Sequence, residues 1–228
     1  MHYASVEQIS KSFGIRTLFQ RISFHIEEGD KIALVARNGT GKSTLLKILA
    51  GKEQADEGTF WVHKDARVVY LPQESEFNPE LSILDQLFQL DHPVIQVVKQ
   101  YEHFLESGSA DADLLGQILS RMDELQAWNL ESAVKQVLGK LQLHQPEAKM
   151  GQLSGGQRKR VALAQALLEA RWYEGRCLLI MDEPTNHLDV GMIEWLEEYL
   201  SAQKVTLFMV THDRYFLDAV CNEIIEID

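Results

Sequence analysis

The chain has 228 residues, 45% of them hydrophobic and 25% charged, with 22 Lys and Arg against 34 Asp and Glu for a net charge of -12. That suffices for one large soluble domain or two small lobes, and the acidic balance opposes non-specific nucleic-acid binding through long-range repulsion of phosphates. No run approaches the ~18–20 consecutive apolar residues that span a bilayer.

The opening MHYASVEQIS has no apolar signal core. Of the two cysteines, Cys177 lies in the apolar run CLLIM and reads as a small buried hydrophobe rather than a redox group. A reducing cytoplasm is the expected compartment. The first sixty residues read as strands and turns. ASVEQISKSFG and TLFQRISFHI carry loose period-2 patterns rich in β-branched and aromatic residues. KIALVA, Lys31 to Ala36, is a continuous apolar run of the kind covered on both faces. It leads through RNGTG into the helix KSTLLKILAG, which Gly51 stops, and GTFWV and RVVYLP follow as two short strands.

From Ser82, a helix cap, the pattern turns helical. Val94, Val97, Val98, Tyr101, Phe104 and Leu105 share one helical face, and Leu115, Ile118, Leu119, Met122 and Leu125 share a second. With SGSADAD as the loop between them, the two stripes predict an antiparallel hairpin near 91–128, and a third helix is expected over about 130–141. Both stripes read as core. After LSGGQ the chain alternates: a helix to about Ala170, the strand CLLIM, a helix around MIEWLEEYL, the strand VTLFMVT, a short helix and EIIEI. Such alternation predicts a largely parallel sheet with helices on its faces.

Three places carry chemistry. ARNGTGKST, Ala36 to Thr44, is strand, glycine loop and helix. Its backbone N–H groups converge on phosphates, with Gly39 and Gly41 allowing the curl, and Asn38, Thr40 and Thr44 completing the binding set. Lys42 is placed for the β- and γ-phosphates of ATP and Ser43 for Mg2+. Ala36 stands where the P-loop pattern has its first glycine, a change expected to be nearly free if φ there is negative. CLLIMDEPTNHLD ends an apolar strand in two acids: Asp182 to hold Mg2+ through water and Glu183 to take a proton from the attacking water. His212, at the tip of VTLFMVT, can donate to the γ-phosphate, and Gln73, after RVVYLP, can sense metal and water. Finally, the serine and paired glycines of LSGGQ (Leu153–Gln157) open a helix and present backbone N–H groups to an anion.

P-loop, Gln73, LSGGQ, LLIMDEP, NHLD and THDR, in that order, resemble the nucleotide-binding domain of an ATP-binding cassette (ABC) protein over essentially the whole chain. The resemblance implies an α/β P-loop NTPase fold: a single ABC cassette over 1–228, with a RecA-like core, an antiparallel β-subdomain and a helical subdomain. The catalytic lobe is expected at 1–73 and 154–228, the helical lobe at 74–153. It further implies that Ser154, Gly155, Gly156 and Gln157 close on ATP held by a second, facing cassette, and that Asp189 lies at that seam. Phe13 matches the aromatic that stacks on adenine, though it also reads as a strand core residue.

EPTNHLD, SGGQRKRVALAQAL and THDRYFLDAVCNEIIEID most resemble the ABC-F group, including its Uup branch. Those are cytoplasmic two-cassette proteins that act on ribosomes, so the resemblance implies a ribosome or rRNA partner and a second cassette, on the same chain or in a homodimer. The chain is then expected to be the first cassette of a longer protein. The hairpin occupies the place of that group's arm, yet 91–150 holds nine acids and five bases, which does not support RNA binding by this segment. The alternative is the motor subunit of a membrane transporter, with a permease as partner.

Overall fold

The computed structural model describes residues 2–108, 111–173 and 176–227. Met1–Ser75 with Tyr173–Asp228 group into one compact unit and Glu76–Trp172 into a second.

In the first unit two long strands, β1 (His2–Phe13) and β2 (Arg16–Glu27), pair antiparallel, and β4 (Glu57–Val62) pairs on the other edge of β1. The apolar runs form a separate, wholly parallel sheet. β3 (Lys31–Ala36), β5 (Arg67–Leu71), β6 (Cys177–Asp182), β7 (Thr206–Val210) and β8 (Glu223–Ile227) take the order β5-β6-β7-β3-β8. Every residue of β6 and β7 is buried, as continuous apolar strands require when both faces are covered. α1 (Lys42–Leu49) follows β3, α7 (Val190–Ala202) follows β6, and α8 (Arg214–Val220) follows β7.

Ile32, Leu34, Leu45, Leu46, Ile180 and Phe208 share one core with Val6, Ile9 and Ile26 of the antiparallel sheet, and Phe24 stacks on Phe208 at 5.3 Å. Buried Lys11 joins β1 to the segment after α1 through Glu53 at 2.9 Å and Asp56 at 3.3 Å. Because the parallel strands share one direction, the turns leaving β3, β5, β6 and β7 gather at one edge, where open α/β sheets place their ligands.

The second unit is helical: α2 (Ile83–Leu87), α3 (Pro93–Ser107), α4 (Ala112–Glu124), α5 (Leu130–Lys140) and α6 (Gly155–Trp172). Three of its helices begin where side chains satisfy first-turn amides. Ser82 and Asp85 form a reciprocal capping box at α2, His92 accepts from the Val94 amide with Pro93 opening α3, and Asp111 accepts from the Leu114 amide at α4. Ser109 and Ala110 of the SGSADAD loop, and Glu174 and Gly175 after α6, lie outside the described residues.

Val94, Val97, Phe104, Ile118 and Met122 are buried as their stripes predict. Leu105 is a correction: it is exposed, as is Leu114 near the start of α4, so the stripe's periodicity does not by itself bury every residue on it. The unit boundary also differs from the lobes expected at 74–153 and 154–228. α6 packs on α2 and α5 and groups with the helices before it. No helix among the described residues is long and apolar enough to cross a membrane.

Candidate active site

The loop from β3 to α1 depends on two glycines in left-handed backbone, Gly39 at φ 80° and Gly41 at φ 91°. A Cβ on Gly41 would lie 2.9 Å from Leu18 and 3.1 Å from the Phe19 ring, so this position excludes side chains by both backbone and space. Gly41 is the N-cap of α1 and offers no side-chain acceptor, which leaves the first-turn amides directed at the loop. The Lys42 ammonium lies along the same loop, donating to the carbonyls of Ala36 (2.9 Å) and Arg37 (3.2 Å). Ala36 is not among the residues with positive φ and stays in strand register with Ile227, so alanine sits there without strain.

Opposite the loop, β6 ends in Asp182, which is 3% exposed. The next residue, Glu183, turns the chain out of the strand with φ 54°, a conformation that costs a non-glycine residue about 1–2 kcal/mol. The Glu183 amide donates to the Val210 carbonyl of β7 at 2.8 Å. Its carboxylate accepts from the His212 amide at 3.2 Å and lies 3.3 Å from His212 Nε2. A Thr185–Thr211 hydroxyl contact at 3.3 Å ties the same two turns together.

Burial pushes the Asp182 carboxyl upward; the nearby Ser43 hydroxyl and the Lys47 and Lys42 charges oppose this without reversing it. Burial, with a contribution from Asp182, also raises Glu183, against His212 and Lys42. Asp182 Oδ2 is buried and has no hydrogen-bond partner among the described residues. A hard, oxygen-seeking cation suits that orphaned oxygen beside a serine hydroxyl, so the residues present fit Mg2+.

Asn38, Gly39, Gly41, Lys42, Ser43, Thr44, Gln73, Asp182, Glu183 and His212 line one cleft of about 360 Å3. Three further candidates of the first unit do not line it, nor do Ser154, Gly155, Gly156 and Gln157 of the second. Thr40 turns back to its own loop, donating to the Arg37 carbonyl at 2.8 Å. Asp189 caps α7, accepting from the Met192 amide at 2.9 Å. Phe13 is 55% exposed with the Lys11 ammonium 5.4 Å from its ring centre, which corrects its reading as a strand core residue.

In the second unit, Ser154 Oγ accepts from the Gln157 amide at 3.2 Å while the Ser154 amide donates to Gln157 Oε1 at 2.9 Å. This reciprocal box opens α6 and leaves the amides of Gly155 and Gly156 outside the exchange.

Two neighbours of the cleft were missed by reading the sequence. Asn186 lines it from the turn after Glu183, and its place three residues beyond the acids was an available signal. Arg16 donates to the Gly39 carbonyl at 2.9 Å. Only the folding of β1 and β2 brings it there, so no local pattern could have shown it.

A glycine loop between a buried strand and a helix, facing strand-end acids, defines a P-loop nucleotide-binding fold. The ABC transporter family model matches residues 19–186, and the chain belongs to that family as one of its ATP-binding cassettes. Among curated relatives, it is 40% identical to the uncharacterized ABC transporter ATP-binding protein YfmR of Bacillus subtilis, over 100% of this chain and 36% of that protein. It is 36% identical to the energy-dependent translational throttle protein EttA of Escherichia coli, over 93% of this chain and 39% of that protein. The chain thus spans well under half the length of these relatives. Among solved structures, the ATP-binding subunit of an ABC transporter superposes with a TM-score of 0.70 at 19% identity, covering 99% of this chain and 85% of that one. At that identity the likeness speaks for the fold.

Proposed function

We propose that this cassette binds and hydrolyses ATP, as one of two cassettes of a cytoplasmic ABC-F type protein that acts on the ribosome. The observation that carries the reading is the gathering of Lys42 and Ser43 with Asp182, Glu183 and His212 around one cleft. Lys42 and the first-turn amides of α1 hold the triphosphate. Glu183, raised by burial and fixed through His212, accepts the proton of the attacking water, and Gln73 and Asn186 orient that water from the cleft wall. Ser43, Asp182 and Gln73 would hold Mg2+; when bound, the ion would supply positive charge against the β- and γ-phosphates.

Phe13, exposed at the end of β1, stacks on adenine. Ser154, Gly155, Gly156 and Gln157 close on nucleotide held by a second cassette, with Asp189 at the seam. Similarity to a protein named as a translational throttle supports the ribosome as the site of action.

The test uses the full-length protein carrying Glu183→Gln, so that bound ATP persists. The expected result is ATP-dependent co-sedimentation with ribosomes. No ribosome association in ATP, with recovery in a detergent-solubilised permease complex instead, would replace this reading with a transporter subunit.

A further inference from the structure

A cavity separate from the nucleotide cleft, and larger than it, is present among the described residues. It lies wholly within the helical unit, has a volume of about 670 Å3, and none of the chemistry above uses it. Its floor is aliphatic, from residues such as Leu84, Val134 and Leu138. Its mouth holds an aromatic corner: Tyr101 and Trp128 meet edge to face, with centroids 5.4 Å apart and planes at 78°. Trp128 is 50% exposed, yet its indole is pinned, because Nε1 donates to Asp123 Oδ1 at 2.7 Å. A half-exposed aromatic pair held in fixed geometry presents preformed negative ring faces.

The charges on the lining point the same way. Lys135 is held by Glu131 at 2.5 Å, which lowers the Glu131 carboxyl and cancels that pair locally. Glu102, next to Tyr101 on α3, has no cationic partner among the described residues. Besides Tyr101, His144 is the remaining titratable group on the wall. With the Glu131–Lys135 pair cancelled, Glu102 leaves the lining with a net negative charge, which favours a cation there.

An apolar cavity of this size with a few convergent polar groups is the form of a small-molecule site. We infer that this cavity binds a flat aromatic organic cation, its body on the aliphatic floor, its face against Trp128 with its edge toward the Tyr101 ring, and its charge toward Glu102. The inference does not rest on the nucleotide reading.

The probes are proflavine, a three-ring cation at neutral pH, and acridone, a neutral molecule with a three-ring body. Both are titrated into the full chain by fluorescence anisotropy. Proflavine is expected to saturate one site, with acridone at least about tenfold weaker. Trp128→Ala and Glu102→Lys are each expected to weaken proflavine by about tenfold or more. Glu102 lies on an exposed helix face where lysine is equally helix-forming, so circular dichroism of that variant should match the parent even if Trp128→Ala fails to fold. Equal affinity for the two dyes, proflavine binding unchanged by Glu102→Lys, or no saturable binding at about millimolar dye would each overturn the proposal.

Discussion

At the end of β6, Glu183 stands in left-handed backbone with a side chain only 8% exposed, beside an Asp182 oxygen without a hydrogen-bond partner among the described residues. At the start of α6, Ser154 is exposed and exchanges hydrogen bonds with Gln157 in an ordinary capping box. Both are short polar turns beside a helix or strand end, and both carry proposed contacts to nucleotide. The first holds strain and desolvated charge; the second is relaxed. Under the proposed function, the difference separates a group that would change protonation during the reaction from one that would only meet a phosphate. Raised carboxyl pKa values and strained backbone belong to the former.

The sharpest way to break the contrast is at Glu183. Glu183→Gln removes the proton acceptor while leaving the phosphate loop intact. Turnover should fall about 10²–10⁴-fold, with ATP affinity within about twofold of the parent. Phosphate release and nucleotide titration measure the two. Because burial raises the Glu183 pKa, the proton-accepting form is lost on acidification at a higher pH than for an ordinary glutamate near ~4.3. The acid limb of the turnover profile should therefore lie above that value. His212 opposes this rise, so His212→Ala should move the limb further up. Unimpaired turnover in Glu183→Gln would assign the base elsewhere.

Strain can be tested on the other wall of the same cleft. Gly41→Ala imposes both a left-handed alanine and a Cβ 2.9 Å from Leu18. Together these should cost about 3 kcal/mol, read from the urea midpoint. Ala36→Gly, five residues earlier in a relaxed strand, should change stability by no more than about 1 kcal/mol. Equal effects at the two positions would mean that the loop relaxes freely.

Most of the cleft was legible because its groups sit at the ends of apolar runs. Lys42 and Ser43 follow KIALVA, Asp182 and Glu183 follow CLLIM, and His212 follows VTLFMVT, so finding the strands finds the site. Arg16 was not legible, since its partner carbonyl lies 23 residues away and the contact exists only in the folded sheet. The allegiance of α6 was hidden for another reason. Val161, Ala162, Leu163, Ala164, Leu167 and Leu168 are buried around most of the helix, so no single stripe indicated which unit it packs with. Leu105 failed in the opposite way: it shares the helical period of buried Val94, Val97 and Phe104 yet is exposed, because periodicity names a face and not what covers it.

The smallest expected effect separates the two roles of Ser154. Ser154→Ala deletes the acceptor for the Gln157 amide and should cost about 1 kcal/mol, the usual worth of an N-cap. That loss alone does not distinguish a cap from a phosphate contact. Ser154→Asp does, because aspartate caps a helix as well as serine, so stability should stay within about 0.5 kcal/mol of the parent. Its charge, however, would face the triphosphate of the second cassette and repel it. In a Glu183→Gln background, ATP-driven pairing of cassettes followed by sedimentation velocity should be lost in Ser154→Asp. If pairing survives alongside stability, Ser154 is a cap alone, and the relaxed geometry at the start of α6 has no functional counterpart to the strain at the end of β6.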